Sequence, residues 1–150
     1  MRTRYFALVY GIVFLLVGIA GFIPGLVTYH EPAADVAATG EAGTAMHGLL
    51  LGLFPVNALH NIVHIVFGAW GLAAYRSFTG ARTYARVVAI VYAVLAVMGL
   101  IPGLDTTFGL IPLYGHDIWL HIVLAAVAAY FGFFNRADYD HVAGTTTSRI

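Results

Sequence analysis

The sequence predicts an all-α fold: an integral membrane four-helix bundle built from two tandem helical hairpins. Three observations carry that prediction. The chain has 150 residues, 61% hydrophobic and only 9% charged, against about 25% charged in an ordinary soluble domain; its mean hydropathy is +0.87. The apolar residues gather into four segments, each close to the roughly 20 residues that a membrane span requires. The second half of the chain also restates the pattern of the first.

The first segment, YFALVYGIVFLLVGIAGFI, runs from Tyr5 to Ile23 and stops at Pro24-Gly25. Arg2 and Arg4 precede it, as in a cleaved signal peptide, but the run is long and no small-residue cleavage site follows. The second segment spans about Pro55 to Tyr75. The third spans about Tyr84 to Ile101, before Pro102-Gly103, and the fourth about Pro112 to Phe134. Proline suits a first helical position and stops a helix that it follows, so these prolines are expected to mark the ends.

The duplication is legible in two blocks. GIVFLLVGIAGFIPGL (Gly11–Leu26) lies over AIVYAVLAVMGLIPGL (Ala89–Leu104), and GLFPVNALHNIVHIV (Gly52–Val66) over GLIPLYGHDIWLHIV (Gly109–Val123). The chain therefore reads as one transmembrane domain over 1–150, with repeat one at about 5–76, repeat two at about 82–134 and a polar tail at 135–150. Two spans per repeat make the halves parallel, related by an axis along the membrane normal. A removable leader would not be copied as the third segment.

All seven basic residues are arginine. Arg2, Arg4, Arg76, Arg82, Arg86, Arg136 and Arg149 fall on one side of the four spans, while the other two connections carry Glu31, Asp35, Glu41, Asp105 and Asp117. The arginine side is cytoplasmic by the positive-inside rule, which puts both termini inside. Tyr5, Tyr75 and Tyr84 fit an inner aromatic belt, and Tyr29 and Tyr114 an outer one. Cysteine is absent, which excludes disulfides, thiolate metal sites and iron–sulfur clusters. Nothing in the composition points to nucleic acid. MHGLLLGLF (Met46–Phe54) is too short to span and is expected as an interfacial or re-entrant stretch at the outer mouth, with FGLIPL (Phe108–Leu113) as its shorter counterpart.

The candidate site comes from the second repeated block. His64 lies over His121, and His60 over Asp117. Residues four apart share one helix face, so each hairpin carries a polar pair on one face of its second helix. Counted from Pro55, His64 lies nine residues along, roughly 13 Å, which places it and His121 at matching depth. Gly68 and Gly71 continue one stripe, and Ala125 and Ala128 the other. Small residues allow close helix approach, so spans two and four are expected to meet and bring the polar side chains together. Ionisable groups at such depth are costly and mark functional candidates. Three imidazoles and one carboxylate suit a divalent ion such as zinc, copper, iron or manganese, with Asn61, Tyr114 and His116 as supporting donors.

Two other readings use the same residues. His64 and His121 are candidate axial ligands of a b-type haem, although the outer half lacks the basic residues that propionates want. Alternatively, His60–Asp117 and Asn61–His121 contacts tie the two halves together, at about 1 kcal/mol per contact, in an accessory subunit of a larger membrane complex or a homo-oligomer. His30, His47 and His141 fall in loops or the tail and read as solvated. Trp70 and Trp119 read as packing or interface residues, and Gly21 and Gly99 as helix-packing positions. Catalysis is not indicated, because ligation of Asp117 leaves no carboxylate at that depth to act as a base. A transporter is disfavoured, because four short spans enclose little.

GLFPVNALHNIVHIVFG, DIWLH and the repeated G-x-x-PGL together resemble the DUF4383 family of small bacterial four-span membrane proteins, over nearly all of residues 5–134. The resemblance implies the four-span fold and a bacterial inner-membrane setting. It implies no activity.

Overall fold

The structure is a computed structural model, and it describes residues 2–29 and 48–135. The expectations for His30, His47, His141, Arg136, Arg149 and most of the acidic first loop lie outside those residues. Helix α1 spans Arg2–Ala20. Strands β1 (Val27–Tyr29), β2 (Gly48–Leu50) and β3 (Phe54–Val56) follow. Next come α2 (Ala58–Ala74), α3 (Phe78–Gly99) and α4 (His116–Ala129), which widens into a π-helical turn over Tyr130–Phe134. α1, α3 and the continuous helix His116–Phe134 are long and apolar enough to cross a membrane, while α2 is apolar but shorter.

The helices pack as two hairpins, α1 on α2 and α3 on α4, with α1 and α2 also touching α3. Glycines set the first hairpin. A methyl group at Gly68 would stand 2.6 Å from Leu15 Cγ and 2.9 Å from the Gly11 carbonyl oxygen, and one at Gly71 would stand 2.8 Å from Gly11 Cα. These backbones touch because no side chain separates them. This corrects the expectation that Gly68 and Gly71 face span four. The glycine of α1 is their true complement, and α2 and α4 do not pack extensively on one another. Ala125 and Ala128 are instead buried in a cluster with Ala81, Ala85, Val88 and Ala89 of α3.

Of the Met46–Phe54 segment, expected as interfacial or re-entrant, residues 48–54 are described and form no helix. Its described part pairs as a three-stranded antiparallel sheet in the order β1-β2-β3, with Val27 opposite Leu50 and Leu50 opposite Phe54. Val27, Leu50 and Val56 close over Val17 and Ala20 at the end of α1. Helix starts also differ from the expected prolines. Pro55 sits within β3, and α2 begins at Ala58 because Asn57 caps it, its side-chain oxygen accepting from the His60 amide at 2.8 Å. Pro112 stays in the loop, and α4 begins only after Gly115, whose φ of 67° is a backbone that glycine adopts without strain. His64 is therefore six residues past the start of α2, about 9 Å along the axis rather than 13 Å.

At the opposite end, Asn135 Nδ2 donates to Thr3 Oγ1 at 3.2 Å, which brings the two ends of the described chain together. Arg82 and Arg86 both donate through Nε to the Gly132 carbonyl, at 3.1 and 2.9 Å, where α4 widens. Tyr84 is not a belt residue: it is completely buried, and Trp70 stands edge-on to it at 5.2 Å. Gly68→Ala is expected to destabilise the protein by about 1–3 kcal/mol, the usual cost of overpacking. Denaturant titration in mixed micelles measures it, and a neutral substitution would mean that α1 and α2 do not touch at this point.

Candidate metal centre

The first turns of α2 and α4 open at the same end of the bundle, beneath the sheet and the loop 104–115. Each contributes an inward-facing polar pair. His60, Asp117 and His121 each place a ligand atom within 4.8 Å of the other two, and all three residues are buried. His64 is buried as well but stands outside this group; its ring stacks on that of His60, with centroids 4.6 Å apart. Three of the four expected ligands thus converge, without direct packing of α2 on α4.

Local bonds orient the α2 histidines. A carbonyl oxygen can only accept, so His60 Nδ1 donates to the Pro55 carbonyl at 3.2 Å, and His64 Nδ1 donates to the His60 carbonyl at 3.1 Å. The first bond occupies Nδ1 and makes Nε2 the nitrogen His60 can offer to a metal, and ligating histidines characteristically anchor their second nitrogen on a carbonyl in this way. Asp117 Oδ2 and His121 Nδ1 are different. Each is buried with no hydrogen-bonding partner. An unsatisfied buried polar atom costs about 1–3 kcal/mol, so two in one group form a strong demand for a ligand.

The expected supporting donors divide. Asn61 turns away from the cluster and packs its side chain on Gly21, with Oδ1 also unpartnered, so no Asn61–His121 contact ties the halves together. His116 is exposed, and its Nδ1 accepts from Trp119 Nε1 at 3.0 Å. Tyr114 lies just before α4. Burial first, then the carboxylates of Asp117 and Asp105, hold its hydroxyl above the ordinary tyrosine range, as a neutral donor. The sequence reading missed two aromatic neighbours, Phe14 and Tyr92. Tyr92 meets the His121 ring edge-on at 4.9 Å, Phe14 packs on His64 at 5.6 Å, and the two stack on each other at 5.4 Å and 11°. Both histidines that the haem reading makes axial ligands are thus packed by aromatic rings. The signal lay in the repeat, where Phe14 falls on Tyr92.

The fold and the site define a class: a helical protein with membrane-span helices and a buried His/Asp group able to hold a metal ion. The family model described as "Domain of unknown function (DUF4383)" matches residues 4–134, and the chain belongs to that family. No curated protein and no solved structure matches it.

Asn57 holds the site from below, capping α2 while its Nδ2 donates to the Leu110 carbonyl of the other half at 2.7 Å. Asn57→Ala is expected to cost about 0.5–2 kcal/mol and to lower divalent-metal affinity by releasing the turn that carries His60. Thermal unfolding and metal titration of the purified variant would check both, and unchanged affinity would remove Asn57 from the site.

Proposed function

We propose that this protein is a four-span integral membrane protein that binds one divalent transition-metal ion through His60, Asp117 and His121, in a binding, sensing or redox role rather than a hydrolytic one. The observation that carries the reading is the pair of orphaned buried atoms, Asp117 Oδ2 and His121 Nδ1, inside a group of ligand-bearing side chains. Two imidazoles and one carboxylate suit zinc, iron, copper or manganese, and three ligands leave a position for water or a small molecule. His64 supports the set through its stacking on His60 and its bond to the His60 carbonyl. Asp117 is the one carboxylate of the group; once it ligates, the group holds no general base.

The membrane part of the proposal takes α2, at 17 residues, as the fourth span, at the short end of the roughly 17–25-residue range. The arginine end is the cytoplasmic face of a bacterial inner membrane. The Thr3–Asn135 bond supports both termini lying on that face. Equivalent contacts support the internal repeat. Phe14 meets His64 as Tyr92 meets His121. Gly21 receives Asn61 as Gly99 receives Ile118, and in the repeat Asn61 lies over Ile118.

Protein purified in mild detergent, without chelator or metal-affinity resin, is expected to carry close to one equivalent of a first-row metal by elemental analysis. Asp117→Ala and His121→Ala should each abolish it while the bundle stays folded. His64→Ala should retain the ion at about 10–100-fold lower affinity, as for residues that orient ligands. Chelation should lower the unfolding temperature, and added metal should restore it, as binding linkage requires. A metal-free, folded protein whose stability ignores both treatments would hand the histidines to structure and favour an accessory subunit.

A further inference from the structure

Two turns at the sheet end share an unusual backbone. Leu51 and Gly52 both have positive φ, 55° and 71°, and Leu53 N donates back to the Leu50 carbonyl at 3.1 Å. Phe108 and Gly109 have positive φ as well, 58° and 82°, here preceded by Thr107 at 49°, with Leu110 N donating to the Thr107 carbonyl at 3.2 Å. Two consecutive positive φ values closed by such a bond make a type I′ turn, which favours asparagine, aspartate or glycine at its first central position. Leucine and phenylalanine are poor choices there, because their Cβ crowds the backbone in the left-handed region. Leu51-Gly52 and Phe108-Gly109 also fall on one another in the repeat.

The side chains that carry this penalty gain nothing from the protein's own core. Leu51 is 64% exposed and Phe108 76% exposed, and Leu53 and Leu110 beside them are exposed too. No charged residue occurs in 49–56 or 106–113. Leu51 N donates to the Leu26 carbonyl at 2.8 Å and Leu26 N to the Ile23 carbonyl at 2.9 Å, and Phe22, Ile23, Leu100 and Ile101 just beyond α1 and α3 are exposed as well. Exposed apolar surface of this kind marks a contact with a membrane or another protein, and its place at the ends of helices apolar enough to cross a membrane selects the membrane.

We infer that the Leu51-Gly52 and Phe108-Gly109 turns are paired lipid anchors, which sink their apolar tips into the interfacial layer of the bilayer around the mouth of the His/Asp group. Each hairpin carries one anchor. Together they set the depth of the group, because β3 joins the first anchor to Asn57 and α2, and residues 110–115 join the second to α4. The inference rests on the membrane part of the proposed function and not on the metal.

The test places tryptophan at the tips, as Leu51→Trp and Phe108→Trp singly, in a Trp70→Phe/Trp119→Phe background. The proteins are reconstituted in phosphatidylcholine–phosphatidylglycerol vesicles, with and without bromine on the acyl chains. Brominated lipid is expected to cut emission at least about twofold, with little quenching by aqueous iodide, as for an interfacially buried side chain. Strong iodide quenching without bromine quenching would overturn the inference. Quenching by neither would overturn it too, by showing a protein contact such as a second copy. Extraction of the protein from vesicles by alkaline carbonate would sink the membrane reading itself, a separate failure. Should the tryptophan variants not fold, the absence of native cysteine allows nitroxide labels at Leu53→Cys and Leu110→Cys. Oxygen should then relax the labels more than aqueous chromium oxalate, and the reverse order would overturn the anchors.

Discussion

The backbone contact between α1 and α2 governs the architecture of the site. His60, His64, Gly68 and Gly71 lie on one stripe of α2, and the glycines press directly on Gly11 and Ala7 of α1. A helix held at van der Waals distance along such a stripe cannot rotate without lifting off its neighbour. Its rotation is therefore fixed at the glycine end, and the histidines one and two turns earlier must face inward. Gly18 and Gly21 extend the close approach along α1, and Gly21 leaves the space that Asn61 fills. Polar groups reach the interior here as a consequence of small residues elsewhere on the same face.

An inward-facing polar group then has to be satisfied, because an apolar interior offers no water to compensate it. α2 answers locally: Pro55 and His60 supply carbonyls to the two imidazoles one turn later. α4 supplies no such partner. Asp117 Oδ2 and His121 Nδ1 face the interior without one, although their first turns are α-helical like those of α2. The asymmetry lies in the residue types able to ligate a metal: the α2 imidazoles are hydrogen-bonded to carbonyls, while Asp117 Oδ2 and His121 Nδ1 are not, and Asn61 Oδ1 of α2 is orphaned apart from this group. Of the two contacts on which the structural alternative rests, His60–Asp117 and Asn61–His121, the second is not made.

Much of this was legible in the sequence. Composition and segment lengths gave the helical, apolar architecture, and spacing placed His60, Asp117 and His121 on inward faces. The errors share a cause: local chemistry outranked the simplest punctuation. Pro55 and Pro112 looked like helix starts, but Asn57 offers a side-chain cap and Gly115 a positive φ, and the helices begin there instead. Three-residue strands carry too little periodicity to be read between apolar helices. Gly68 and Gly71 mark a contact surface without naming its partner, because a stripe of small residues says that something approaches closely and not which helix it is. Spacing alone groups His64 with His60. The structure spends its ring on stacking and on a backbone carbonyl.

The difference between the two hairpins is what suits the proposed group to a single ion. Phe14 and Tyr92 stack face to face, each packing on the histidine of its own half. A perfectly symmetric arrangement would offer two copies of each ligand, either four imidazoles or two carboxylates with two imidazoles. Two carboxylates this close would repel when no cation lies between them, and four neutral imidazoles would bring no charge to offset a divalent ion. Histidine at 60 opposite aspartate at 117 avoids both extremes. It leaves a single carboxylate to balance half the charge of the proposed ion, flanked by neutral nitrogen donors. In the proposed set His64 is a neighbour of the ligands: it shares the face and the burial of His60, and its ring stacks on the His60 ring and bonds to the His60 carbonyl.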